Sequence, residues 1–256
     1  MKLAFEIKLA EGYESKSQIA RVLTESWVGE YAFCPNCGKN RIERYAANKP
    51  VADFYCSHCL EDYELKSKQK SMGRKIVDGR HDKMIERLNS SNNPNLFLLS
   101  YNPESLSVIT FLVVPKHFFV PGMIEKRKPL SLNAIRKNWV GCNILLSTIP
   151  KTGKIYYVNK GQAIPKKDVL HNWKRTLFLR DEKELSAKGW LLDVMRCVDN
   201  LNQKEFTLSE MYGFEKELND LHPDNRHVRD KIRQQLQVLR DNGYLEFLSR
   251  GRYRLV

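Results

Sequence analysis

The residues best suited to chemistry in this 256-residue chain are Asp53, Glu64 and Lys66, which form the pattern Asp-x10-Glu-x-Lys. Two carboxylates can hold Mg²⁺ beside a phosphodiester, and a lysine can orient the attacking water. Glu64 and Lys66 fall on one face of a strand and Leu65 on the other, and the Leu65 carbonyl is a candidate further oxygen ligand. An Asp, a Glu and a Lys are also ordinary on an exposed strand, and the pattern alone leaves both readings open. Glu61 and Asp62 are expected in a turn, away from the metal. Glu25, on a preceding helix, is a candidate accessory carboxylate.

The same stretch carries Cys56-x-x-Cys59, and Cys34-x-x-Cys37 lies eighteen residues upstream. Paired knuckles at this spacing suit a four-thiolate structural zinc site, closed to substrate. His58 is expected to face solvent or phosphate rather than zinc. Cys142 and Cys197 read as small buried hydrophobes. Cysteines used in this way, with no long apolar segment in the chain, lead to the expectation of a cytoplasmic protein without membrane spans.

A net charge of +13 calls for a polyanionic partner, because clustered Lys and Arg displace the counterions of a phosphate backbone. Residues 1–180 hold 30 bases and 16 acids, and residues 119–180 hold 13 bases against Glu125 and Asp168. Trp139 stands beside Arg136 and Lys137 in that basic segment, where an indole can stack on a base or pack into a core.

The elements that must position these residues follow from apolar periodicity. A helix over 15–31 buries Ile19, Val22, Leu23, Trp27 and Val28. Strands are expected at 51–55, 63–65, 96–101, 108–114 and 155–158, and a helix near 82–88. Residues 119–140 and 160–175 read as irregular. Together these make an α/β fold with a mixed sheet.

Composition changes near 181–187, where a smaller helical domain begins. Trp190, Leu191, Val194, Met195, Val198 and Leu201 stripe its first helix, and Thr207–Glu210 is a capping box opening a second. A third, expected from about Asn225 to Arg240, buries Val228, Ile232, Leu236 and Leu239. It would present Arg226, Arg229, Arg233, Gln234 and Gln237 to a major groove. A C-terminal hairpin with Arg250, Arg252 and Arg254 completes a winged helix-turn-helix. Residues 181–224 hold eleven acids and five bases, expected to lie on the side away from DNA.

Four segments, 31–38, 50–68, 139–144 and 232–241, resemble the DpnI-like family of methyl-directed type II restriction endonucleases. They lie in both halves, so the resemblance spans the chain. It implies a PD-(D/E)XK nuclease domain over 1–181 joined to a winged helix over 182–256, cutting double-stranded DNA at GATC carrying N6-methyladenine, and the protein is expected to be monomeric in solution. By motif the catalytic residues are Asp53, Glu64 and Lys66, with Mg²⁺ on Asp53, Glu64 and the Leu65 carbonyl. The structural Zn²⁺ falls on Cys34, Cys37, Cys56 and Cys59. The usual Pro-Asp dipeptide is absent, since Ala52 precedes Asp53. Trp139 becomes the candidate contact for the N6-methyl group. Two other classes stay open: a non-enzymatic zinc-containing winged-helix regulator, and a nuclease of the same fold with different specificity.

Overall fold

A computed structural model describes residues 1–46, 52–90, 93–131 and 133–256. The chain divides into two compact units, one of residues 1–147 with 152–177, the other of 148–151 with 178–256. In chain order the first holds α1 (Lys16–Tyr31), β1 (Glu43–Arg44), β2 (Phe54–Tyr55), β3 (Asp62–Gln69), β4 (Lys75–Arg80) and α2 (His81–Leu88). It continues with β5 (Asn95–Asn102), β6 (Ser107–Val114), β7 (Ile124–Lys126), β8 (Gly141–Leu145), β9 (Ile155–Asn159), β10 (Gln162–Ala163) and α3 (Lys166–Lys174). The first residue of the expected strand 51–55, Val51, lies outside the described residues.

The main sheet has the order β1-β2-β3-β5-β6-β9-β10 and is antiparallel except for the β3/β5 pair. Two parallel strands cannot be joined by a hairpin. The connection here is β4 followed by α2, and β4 leaves to form a second sheet, β4-β8-β7. β5 is buried from Asn95 to Tyr101, around the apolar run Leu96–Leu99. On the core face Tyr63 stacks on Phe97 at 4.6 Å, and Phe111, Tyr157 and Trp27 extend the aromatic cluster. Full burial of one such ring is worth about 3 kcal/mol. β3 is thereby fixed by Tyr63 and Leu65, and its alternate residues Glu64 and Lys66 take the opposite face.

Sequence periodicity missed several elements. The basic segments expected to be irregular contain β7, β10 and α3, and α3 is anchored by Val169 and Trp173 one turn apart. Strands β4 and β8 went unread because neither is apolar throughout. Glu61 and Asp62 are not in a free turn. Asp62 opens β3 and accepts from the Tyr45 hydroxyl at 2.7 Å, while buried Glu61 accepts from Asn95 at 2.8 Å and pairs with Lys116.

The second unit comprises α4 (Leu185–Asn200), β11 (Glu205–Thr207), α5 (Leu208–Tyr212), α6 (Glu215–Leu221), α7 (Val228–Asp241), β12 (Leu245–Ser249) and β13 (Arg252–Leu255). The capping box is present at Thr207 and Glu210. The helix it opens is short, however, and α6 follows separately. β11, β13 and β12 form a three-stranded sheet. The core joins Leu191, Val194 and Val198 of α4 with Ile232, Leu236 and Leu239 of α7 and Tyr253 of β13, all buried. The third helix starts at Val228, not near Asn225, so Arg226 lies ahead of it.

Candidate active site and metal centre

Cys34, Cys37, Cys56 and Cys59 bring their Sγ atoms within 4.8 Å of one another. The Cys34–Cys59 and Cys37–Cys56 separations are 3.4 and 3.5 Å. A zinc–sulfur distance of about 2.3 Å places tetrahedral ligands about 3.8 Å apart, so the four thiols fit zinc with small adjustments. His58 is exposed and outside the cluster. The second knuckle forms the tip of the β2–β3 hairpin. Lys166 of α3 braces the first, donating to the Gly38 carbonyl at 2.6 Å, as does Trp173 to Asn36 at 3.0 Å. Cys142 and Cys197 are buried, and burial pushes their thiols up to about 11 and about 12.

At the base of the same hairpin, Asp53 holds both strands. Its N–H donates to the Tyr63 carbonyl at 2.9 Å, and its carbonyl accepts from Tyr45 at 2.9 Å. Its Oδ2 accepts from the Leu65 N–H at 2.7 Å. The side chain thus continues the ladder where β2 has ended. A residue's N–H and C=O point to the same strand edge, so the Leu65 carbonyl also faces the Asp53 side. Asp53, Glu64, Leu65 and Lys66 line one pocket of about 470 Å³ together with Glu25, Arg21 and Thr24 of α1.

Lys66 Nζ lies 2.6 Å from Glu64 Oε1 and 2.9 Å from Asp78 Oδ1. Arg87, in the last turn of α2, approaches Glu64 and Asp78 at 3.9 Å each. Burial pushes the Glu64 carboxyl upward, and Asp78 adds to the rise against the pull of Lys66 and Arg87. Burial alone would lower the Lys66 ammonium, but the two carboxylates outweigh it and hold it above its usual range. Burial also acts to raise Asp78, yet Lys66 and the Gly79 backbone leave it below the ordinary aspartate value. Lys66 is therefore a cation and a donor in this arrangement, unsuited to act as a base.

Asp78 and Arg87 escaped the sequence reading because the β4–α2 crossover returns them to β3 from a distance in sequence. Glu25, the expected accessory, is buried in the pocket wall. Its oxygens are held by Arg21 at 2.6 Å and by a short contact from Arg44 of β1.

Trp139 lines a second pocket, of about 460 Å³, with Arg136, Lys137, Asn138, Val140, Lys126 and the Arg80–Asp82 junction of β4 and α2. Its ring lies so close over Gly141 that a Cβ there would come within 2.6 Å. Among the recognition candidates of the second unit, Arg226, Gln234, Gln237 and Arg252 are exposed. Arg229 is exposed as well, but binds Glu215 at 2.7 Å and lies over the Tyr212 ring at 5.1 Å. Arg233 pairs closely with Asp230, and Arg254 is held by Glu205 and Glu246. The acids of 181–224 thus do not all face away from the basic side. Glu205 and Glu215 are its direct partners.

The molecule is a mixed α/β domain carrying a four-cysteine cluster, followed by a helix-turn-helix domain. Residues 1–182 match the model of the Dam-replacing family, DpnI, and residues 186–255 match its helix-turn-helix domain. The chain belongs to the Dam-replacing family, a family of methylation-dependent restriction enzymes. Its helix-turn-helix domain makes DNA the expected partner. No helix among the described residues is long and apolar enough to cross a membrane.

Proposed function

We propose that this chain is a type II endonuclease that cuts both strands of DNA at GATC carrying N6-methyladenine, using Mg²⁺ at Asp53, Glu64 and the Leu65 carbonyl. The observation that carries this is the meeting of Asp53, Glu64 and Lys66 in one pocket of a Dam-replacing family chain. The donor set fits a hard cation: two carboxylates and a carbonyl edge, with no sulfur or imidazole. When bound, Mg²⁺ would supply positive charge to the scissile phosphate and its leaving oxygen.

Glu64 and Asp53 contribute negative charge on either side of the Leu65 edge. Lys66 has three N–H donors, two of which Glu64 and Asp78 engage. The third is left to hold the attacking water by its oxygen, or to bind a phosphate oxygen as its charge grows. Water adds to phosphorus and gives up a proton to solvent, the P–O3′ bond breaks, and O3′ leaves as a hydroxyl with a proton taken from solvent, the phosphate staying on the 5′ side. Arg21, exposed at the pocket wall, is placed for an adjacent phosphate. Trp139 offers an apolar face to the N6-methyl group. Residues 1–181 would carry the chemistry, and 182–256 a second contact to DNA through Gln234, Gln237, Arg226 and Arg252. In the first unit Arg136 and Lys137 flank the methyl-reading face. The protein would be a cytoplasmic monomer in solution, with Zn²⁺ in the cysteine cluster.

The test is digestion of one plasmid, prepared with and without N6-methyladenine at GATC, by the full chain with Mg²⁺ and with EDTA. Discrete fragments from the methylated plasmid in Mg²⁺ alone are expected. Cutting at other sites would point to a nuclease of different specificity. Binding without any cutting would refute the catalytic assignment.

A further inference from the structure

Asp78 is the most buried carboxylate around the candidate active site, its side chain only 3% exposed, and it comes from the second sheet rather than from β3. A carboxylate withdrawn from water at a strand position costs several kcal/mol unless paired. A neutral side chain would serve the β4/β8 pairing, in which Asp78 sits opposite Cys142, at less expense. What Asp78 does hold is Lys66, at 2.9 Å. Its other oxygen, Oδ2, is buried without a hydrogen bond, with Arg87 standing 3.9 Å away.

Lys66 has four rotatable stem bonds and a second attraction, to Glu64 at 2.6 Å. With Glu64 as its only anion, the ammonium would settle wholly on the carboxylate that the metal needs. Asp78 pulls from the opposite side and fixes the ammonium between the two anions. Only then is the direction of the remaining N–H set by the protein rather than by the stem.

Resting on the nuclease reading above, we propose that Asp78 is a positioning residue. It holds the Lys66 ammonium off a one-sided pairing with Glu64 and aims its free N–H into the pocket, while Arg87 braces Asp78 from behind. Asp78 touches neither DNA nor metal in this scheme, so it acts on the rate and not on affinity.

The experiment measures single-turnover cleavage of a methylated GATC duplex by the full chain in Mg²⁺, with protein in excess. The dissociation constant of the same duplex is measured with Ca²⁺ in place of Mg²⁺. Asp78→Asn should slow cleavage about tenfold or more, since misplacing a reacting group by a fraction of an ångström has effects of this order. Affinity should stay within about twofold. Asp78→Glu, which restores the charge, should lie between wild type and Asp78→Asn. A full rate in Asp78→Asn, or a rate and an affinity that fall in parallel, would overturn the proposal. If Asp78→Asn does not give a cooperative thermal transition, Arg87→Gln carries the test, with slower cleavage at unchanged affinity expected and a full rate overturning it. Wild-type protein that cuts no duplex would instead sink the nuclease reading itself. Cleavage by wild type and by Asp78→Asn at equal rates, with Asp53→Ala inert, would remove only the role of Asp78.

Discussion

Asp53 combines a proposed catalytic task with a structural one, and two substitutions separate them. Its Oδ2 accepts the Leu65 N–H at 2.7 Å where the strand has lost its neighbour. A hydrogen bond to a charged acceptor contributes about 1.5–3 kcal/mol, and less where water can reach the orphaned donor. Leu65 lines an open pocket, so Asp53→Ala should cost about 1 kcal/mol, a fall of roughly 2–4 °C in melting temperature for a unit of this size. Asp53→Asn keeps an amide oxygen for the Leu65 N–H and should melt within about 1 °C of wild type. Both variants lose the carboxylate and should lose cleavage together, while binding to methylated duplex in Ca²⁺ persists. The assays are thermal melts of the three proteins beside plasmid digestion and duplex binding. Cutting by either variant would refute the catalytic role. Equal destabilisation by Asn and Ala would refute the role assigned to the Leu65 hydrogen bond.

Stripping the cysteine cluster with a strong chelator should release about one zinc per chain and abolish cleavage, because the cluster closes the tip of the hairpin that carries Asp53 and Glu64. A colorimetric zinc assay run with the melting curve checks this, and metal-free protein of full stability would contradict it. Asp78 has a folded pKa held below the ordinary aspartate value. Its stabilising contribution is therefore complete above that value and is lost as pH falls through the depressed one. Urea melts should show Asp78→Asn destabilised at neutral pH, with the gap to wild type narrowing as pH falls below the ordinary aspartate value. Gly141→Ala would place a methyl group 2.6 Å from the Trp139 ring, so it should displace the indole and reduce the preference for methylated over unmethylated duplex. Unchanged discrimination in a competition assay would remove Trp139 from methyl recognition.

What could be read from the sequence divides by how local its cause is. Alternation placed Glu64 and Lys66 on one face of β3, opposite the buried Tyr63, and knuckle spacing gathered the four cysteines. Both signals lie within a few residues of the atoms concerned. Asp78 gave no such signal. Its strand reads Lys-Ile-Val-Asp-Gly-Arg, with only Ile76 and Asp78 buried, and its pairing with β8 spans more than sixty residues. Helix α3 was hidden by its basic composition, although Pro165 just ahead of it and Asp168 in the first turn mark a helix start. Helix α7 was found by its apolar stripe, but its first turn was misplaced because Asn225 and Arg226 are compatible with a helix they do not enter. The engagement of Arg229 depends on Glu215 of α6, an element the sequence did not announce.

Those engagements bear on how binding would respond to salt. Arg229, Arg233, Arg240 and Arg254 each already hold a carboxylate of the same unit. An arginine that meets a phosphate bare releases about one condensed cation from the duplex. One that must first leave Glu205 or Glu215 exposes an anion beside the DNA, and that anion takes a cation back up. A titration of affinity against ionic strength should therefore be shallower than the unit's tally of bases suggests. Neutralising Glu215 or Glu205 should steepen it.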